Sequence, residues 1–232
     1  MKKTLILIGI IFAIILLWAF GTYKLMNART FQLFGGLTSE VDTKQKVVAI
    51  TFDDGPTKNV ESILPLLENY HAKATFFLIG NELKKNPEEG KNIADAGHQI
   101  GNHSFSHHRM IFKSPAYIKN EIESTDRLIR ETGYKGEIDF RPPNGKKLVG
   151  LPYYLKKQNR DTIMWSLEPD TYNQSASEKV KYVSEHVKPG SIILLHAMYD
   201  QKELKALEGI LKELSNKGYH FVTVNQLQSF EK

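Results

Sequence analysis

Two adjacent carboxylates, Asp53 and Asp54, follow the apolar run at 47–50 and precede Gly55-Pro56, a pair that turns the chain. Neighbouring acids are costly unless positive charge sits with them, and a metal ion meets that need. His103 and His107 lie four residues apart. On one helical turn that spacing presents both imidazoles to a single point. Two histidines and one carboxylate leave positions open for water and substrate, a donor set that suits zinc and also Fe(II). Zinc there lowers the pKa of bound water toward ~7 and polarises a carbonyl. His98 and His108 lie off the shared face and are expected to be structural or solvated.

Other chemistry-bearing residues recur in the same kind of place. Arg141 precedes Pro142-Pro143, Glu168 and Asp170 follow the run 162–167, and His196 ends the run 192–195. In parallel α/β sheets ligands collect at the carboxyl ends of strands, so these positions predict one shared rim.

The elements that must hold that rim are legible from periodicity. Strands are expected at 47–50, 74–79, 99–102, 138–140, 162–167, 192–195 and 220–224. Helices are expected at 60–70, 82–96, 114–132, 149–158, 177–186 and 202–217, with Gly97 and Gly133 as stops. Such alternation implies a parallel α/β fold, at this length a closed or nearly closed barrel of about seven units. Before it, Lys2-Lys3 and the apolar run 5–20 predict a membrane-spanning or export segment over 1–26. Charge asymmetry places the rest of the chain outside, as a single-pass protein of the cell membrane, or as a secreted one if the segment is cleaved near Ala19-Phe20-Gly21. Residues 27–45 are polar and contain Gly35-Gly36, which predicts a loose tether, and 46–232 form one catalytic domain.

Composition narrows the class. The absence of cysteine excludes disulfides, thiolate ligands and a cysteine nucleophile. A net charge of +5 fits an acidic polymer or membrane surface as partner, and without a dense basic run nucleic acid is not expected.

Thr51-Phe52-Asp53-Asp54-Gly55, His103-Ser104-Phe105-Ser106-His107, Arg141-Pro142-Pro143-Asn144-Gly145 and Leu194-Leu195-His196 resemble the ordered motifs of the polysaccharide deacetylases, the NodB-homology or carbohydrate esterase 4 family. The resemblance runs over about 46–224. It implies a distorted (β/α) barrel of the NodB type and metal-dependent removal of acetyl groups from N-acetylated amino sugars. The implied substrate is a glycan polymer, foremost peptidoglycan N-acetylglucosamine, handled by a monomer.

The resemblance also implies roles. Asp54, His103 and His107 hold one divalent ion, usually zinc in the family, with cobalt or nickel as alternatives, while Asp53 is the free base. Asn144 occupies the oxyanion position, where its backbone N–H serves and the preceding Pro143 has none to give. His196 protonates the departing amine, and Arg141 orients Asp53 through a fork-like ion pair. Leu194 shares the strand face of His196 and is the first candidate to wall an acetyl pocket, with Ile192 second.

Departures from the family pattern bear on the substrate groove. Asn144 stands where an aromatic is common, and Ala197 where an acid is frequent. Thr171 and Tyr172 replace the Asp-Trp of the fourth motif, which leaves Asp170 or Glu168 to support His196 and Tyr172 as a candidate substrate contact. Two other readings compete: a wall-binding module that has lost turnover, and a two-histidine iron oxygenase. The spare Asp53 and the late His196 favour hydrolysis over both.

Overall fold

The computed structural model describes residues 2–171 and 175–231. In chain order α1 (Lys2–Asn27) leads to β1 (Leu37–Thr38), β2 (Val47–Asp53), α2 (Val60–Asn69), β3 (Ala74–Leu78), α3 (Gly80–Lys85), α4 (Pro87–Asp95) and β4 (Gln99–Asn102). Then come α5 (Pro115–Glu131), α6 (Gly150–Lys157), β5 (Thr162–Ile163), α7 (Ala176–His186), β6 (Ile192–Leu195), α8 (Glu203–Asn216), β7 (His220–Phe221) and α9 (Val224–Gln228). All strand ladders are parallel.

β2 explains how the fold carries a site. It lies between β3 and β6 in the order β4-β3-β2-β6, with β7 beside its start, and every one of its residues is buried. Successive side chains of a strand point to opposite faces. Val48, Ile50 and Phe52 join the larger core under α2, α4 and α8, whereas Val47 and Ala49 pack in a second core with Phe77, Ile192 and Leu194. Thr51 and Asp53 continue that second face, so the strand ends with a carboxylate above an apolar floor. Beyond the ladders, single-residue parallel bridges join Asn102 to Phe140, Phe140 to Thr162, and Leu167 to Ile193.

Several expectations need correction. The helix expected at 82–96 is two helices, because Pro87 cannot donate a backbone hydrogen bond and instead starts α4. The strand expected at 162–167 is regular only over β5, after which Arg141 takes the carbonyls of Ile163 and Met164. The strand at 220–224 stops at Phe221, since Thr223 caps α9 in a reciprocal box with Gln226. Nor are residues 27–45 a loose tether. Leu37 and Thr38 pair with Thr162 and Ile163, and Val41 is buried and donates to the Gly190 carbonyl.

α1 has no buried residue and is the one helix among the described residues long and apolar enough to cross a membrane. Its last turn nonetheless touches the domain. The backbone N–H of Lys147 donates to the carbonyl of Met26 at 3.4 Å, Lys146 Nζ to Asn27 Oδ1, and Lys147 Nζ to the carbonyl of Ala28.

Candidate metal-dependent active site

The end of β2 places Asp53 in the sheet and Asp54 just past it, with Asp54 in the left-handed region at φ 68°. An aspartate tolerates that conformation better than most residues, and it swings the second carboxylate away from the first. Asp54 Oδ1 lies 3.2 Å from His107 Nε2 and 3.8 Å from His103 Nε2. It is buried and has no hydrogen-bond partner among the described residues. One donor atom from each of the three residues fits within 4.8 Å. An orphaned carboxylate oxygen facing two imidazole nitrogens is the donor set of a divalent ion.

His103 and His107 do not converge through a helical turn. The segment is a loop in which Ser104 and His107 both have positive φ, at 65° and 58°. It is pinned from inside: Asn102 Oδ1 accepts from Ser104 N at 2.8 Å, and Ser104 Oγ from His107 N at 3.0 Å. Buried Glu121 accepts from the N–H groups of Phe105 and Ser106 at 3.1 and 2.8 Å. His103 Nδ1 donates to the Arg141 carbonyl at 2.7 Å, which leaves its Nε2 lone pair for the cluster. Burial holds the His103 imidazolium below its ordinary range against the pull of Asp53 and Asp54, favouring the neutral ligand form.

Asp53 is arranged differently. Arg141, fully buried, donates through Nη1 to Asp53 Oδ1 at 2.7 Å and to Thr51 Oγ1 at 2.7 Å, and through Nη2 to the Met164 carbonyl at 3.0 Å. Its guanidinium lies 4.1 Å over the Phe77 ring. The contact is therefore a single N–H to one oxygen rather than the expected fork, because other donors are spent on the Thr51 hydroxyl and on the carbonyls of Ile163 and Met164. Asp53 Oδ2 remains 3.6 Å from His103 Nε2. Burial pushes the Asp53 carboxyl up, but Arg141, His103 and His196 together bring it below the ordinary carboxylate value, so it stands ionised.

Across the cleft, His196 follows β6. Asp170 Oδ2 accepts from its backbone N–H at 2.8 Å and from Nδ1 at 3.1 Å, leaving Nε2 without a hydrogen-bond partner among the described residues. Asp170 is held in turn by Lys179 Nζ at 2.9 Å, which also donates to Glu203 at 2.6 Å. Of the two acids open as supports for His196, geometry thus selects Asp170. Glu168 accepts instead from Trp165 Nε1 and Arg29 Nη2, both at 3.0 Å.

Asp53, Asp54, His103, His107 and His196 line one cleft of about 340 Å³ that also includes Asn144, Leu194 and Thr171. The volume falls in the range of small-ligand sites. Asn144 sits in the left-handed region at φ 53°, and its backbone N–H has no acceptor among the described residues. Leu194 lines the cleft, while Ile192 lies in the core below it. Tyr172 lies outside the described residues. His98 is buried, accepts from Ala74 N at 3.2 Å, and is driven by burial to a pKa of about 4. His108 is an exposed partner of Ser106 and Tyr117.

The periodicity of the sequence left out part of the cleft wall. Asn27 and Arg29 line it, the Arg29 guanidinium lying 4.9 Å over the Trp165 ring. A cation shortly after an apolar helix looks like an interfacial anchor, so only the fold reveals this second place. Lys146 lines the cleft as well.

The polysaccharide deacetylase family profile matches residues 40–162. A peptidoglycan-N-acetylglucosamine deacetylase of Bacillus cereus is 35% identical over 203 residues, covering 85% of this chain and 95% of that protein. PdaC, a peptidoglycan-N-acetylmuramic acid deacetylase of Bacillus subtilis, is 33% identical over 83% of this chain and 41% of its own length. Among solved structures, a peptidoglycan N-acetylglucosamine deacetylase in complex with a substituted benzamide superposes with a TM-score of 0.77 at 31% identity, covering 84% and 95% of the two chains. A wild-type CE4 family pseudoenzyme from Bacillus anthracis does so with 0.78 at 26% identity, covering 86% of this chain and 71% of that one.

Proposed function

Because the chain belongs to the polysaccharide deacetylase family, we propose that it is a metal-dependent hydrolase that removes N-acetyl groups from amino sugars of cell-wall glycan, foremost the N-acetylglucosamine of peptidoglycan, releasing acetate. The observation that carries this reading is the meeting of the Asp54, His103 and His107 donor atoms beside a separate, ionised Asp53. A similar fold occurs in a pseudoenzyme, so the fold alone does not argue for turnover and the site residues must.

Asp54, His103 and His107 would hold a divalent ion, zinc on the strength of two imidazoles and a carboxylate, and that ion would supply a Lewis acid for the acetyl carbonyl and acidify water. Asp53 accepts the proton that the attacking water gives up. The Asn144 N–H donates to the carbonyl oxygen as it gains negative charge, and Leu194 walls the acetyl methyl. His196 Nε2 returns a proton to the sugar nitrogen as the C–N bond breaks, so that water and amide become acetate and amine. Arg141 fixes Asp53, and Asp170 fixes His196.

In this reading the parallel sheet and its single-residue bridges form a distorted barrel, with the catalytic unit over 46–232. α1 is a single-pass anchor that holds a monomeric domain outside the cell membrane beside its polymer. The test is acetate release by the full chain in detergent with zinc, from chitooligosaccharides and purified peptidoglycan, alongside Asp53→Asn. Release that the substitution abolishes supports the reading; metal binding without release from either polymer overturns it.

A further inference from the structure

Around the Asn144 side of the cleft the chain gathers more positive charge than it neutralises. Arg109 Nε donates to the neutral Asn144 Oδ1 at 3.2 Å, and Lys146 Nζ to the neutral Asn27 Oδ1. Neither has a carboxylate partner among the described residues. Arg29 stands close by and is the one cation of the three with such a partner, Glu168. Burial first, then the charges of Arg109 and Arg29, hold the Lys146 ammonium below the ordinary lysine range. Lys146 therefore feels both of the other cations. Like charges held together at a cleft mouth cost free energy until an anion joins them, and they draw anions in.

We propose that Arg109, Lys146 and Arg29 form a subsite, next to the reacting acetyl group, for a carboxylate carried by the glycan strand. The inference rests on the deacetylase reading of the same cleft and adds to it a preference among polymers. The ligand chemistry is a carboxylate on or beside an amino sugar, with two possible sources in cell-wall glycan: a lactyl ether on the sugar itself, or the peptide attached to it. A neutral N-acetylated polymer offers neither. Arg29, two residues past the end of α1, and Lys146, from the loop after Phe140, line the cleft, and Arg109, from the loop after β4, joins them through its contact with Asn144. Its floor is the face of Trp165, under Arg29.

The test uses the full chain in detergent with zinc and three substrates: chitooligosaccharide, peptide-free glycan strands with exposed lactyl carboxylates, and intact peptidoglycan. The expected result is that Arg109→Gln/Lys146→Gln raises the ratio of KM for peptide-free strands to KM for chitooligosaccharide by about tenfold, the loss of two partly exposed charge contacts. Arg109→Lys, which keeps the charge, restores most of that ratio. If the shift appears with intact peptidoglycan and not with peptide-free strands, the carboxylate is the peptide's. An unchanged KM ratio with both carboxylate-bearing substrates overturns the subsite, as does a fall in kcat alone. Should no substrate release acetate, the deacetylase reading fails, and calorimetric binding still decides the subsite. Peptide-free strands must then bind Asp53→Asn more tightly than chitooligosaccharide does, and lose that advantage when Arg109→Gln/Lys146→Gln is added.

Discussion

Asp170 takes two hydrogen bonds from His196 on one carboxylate oxygen, 2.8 Å from the backbone N–H and 3.1 Å from Nδ1. The same contact that orients the imidazole also fixes the end of its strand, so tautomer and position are set together. Burial disfavours the imidazolium, but Asp170 and the charges of Asp53 and Asp54 raise its pKa to about 9. In the proposed reaction His196 is thereby kept protonated through neutral pH.

Asp170→Asn removes that support. The alkaline limb of kcat/KM, expected near pH 9 in the parent, should move toward the ordinary histidine value of about 6.5, and kcat near pH 8 should fall by about 10²-fold. A pH–rate profile of the two proteins checks both; superimposable alkaline limbs would remove His196 as the acid.

The same pair sets a pH dependence of stability. The folded pKa of His196 lies above the ordinary histidine value of 6.5, so its contribution is fully present below about 6.5 and lost as pH rises through about 9. Urea midpoints should fall between about pH 6 and pH 10 more steeply in the parent than in Asp170→Asn.

Arg141→Met should destabilise the domain by about 3–5 kcal/mol, because it strands the buried carboxylate of Asp53 without its cation. Adding Asp53→Asn removes the stranded charge and should recover part of that loss. A double-mutant cycle on urea transitions measures the coupling, and simple additivity would contradict the ion pair.

Chelation should abolish acetate release, with zinc, cobalt or nickel restoring it. His107→Ala should weaken zinc affinity by at least about 10²-fold, since losing a hydrogen-bond partner of a metal-binding residue alone costs about 10–100-fold. Zinc titration by calorimetry reads this directly. Undiminished affinity would assign the ion elsewhere.

Gly101→Ala tests how the floor of the site is supported. Its new Cβ would collide with the Phe77 ring, on which the Arg141 guanidinium rests. The expected outcome is a loss of about 1–3 kcal/mol in stability together with a lowered kcat. A stability loss with kcat untouched would mean that Phe77 does not transmit the shift to Arg141.

How much of this was legible in the sequence depended on how local each cause is. Asp53 and Asp54 end a continuous apolar run, and a buried parallel strand with acids at its carboxyl end is written in consecutive residues. The approach of His103 to His107 was visible as a spacing but not as a conformation. The loop is shaped by Asn102 and Glu121, whose side chains replace the hydrogen bonds a helix would have made. The choice of Asp170 over Glu168 was hidden because it turns on partners far along the chain: Lys179 and Glu203 on one side, Arg29 on the other. A helix expectation failed at Pro87 and a strand expectation at Thr223, where a proline and a capping threonine overrode the apolar period.

The clamp on the last turn of α1 has a spatial consequence. Asn27, which borders the cleft, lies seven residues beyond Phe20, about 10 Å along a helix rising 1.5 Å per residue. With α1 across a bilayer, that distance is close to the thickness of a headgroup layer, about 5–8 Å. The reacting centre would then be confined to a thin slab above the membrane, where diffusion is two-dimensional. Turnover would follow the areal density of glycan inside that slab rather than its amount in the whole wall. Strands already buried in outer layers would keep their acetyl groups, and the modification would record which polymer was most recently laid down.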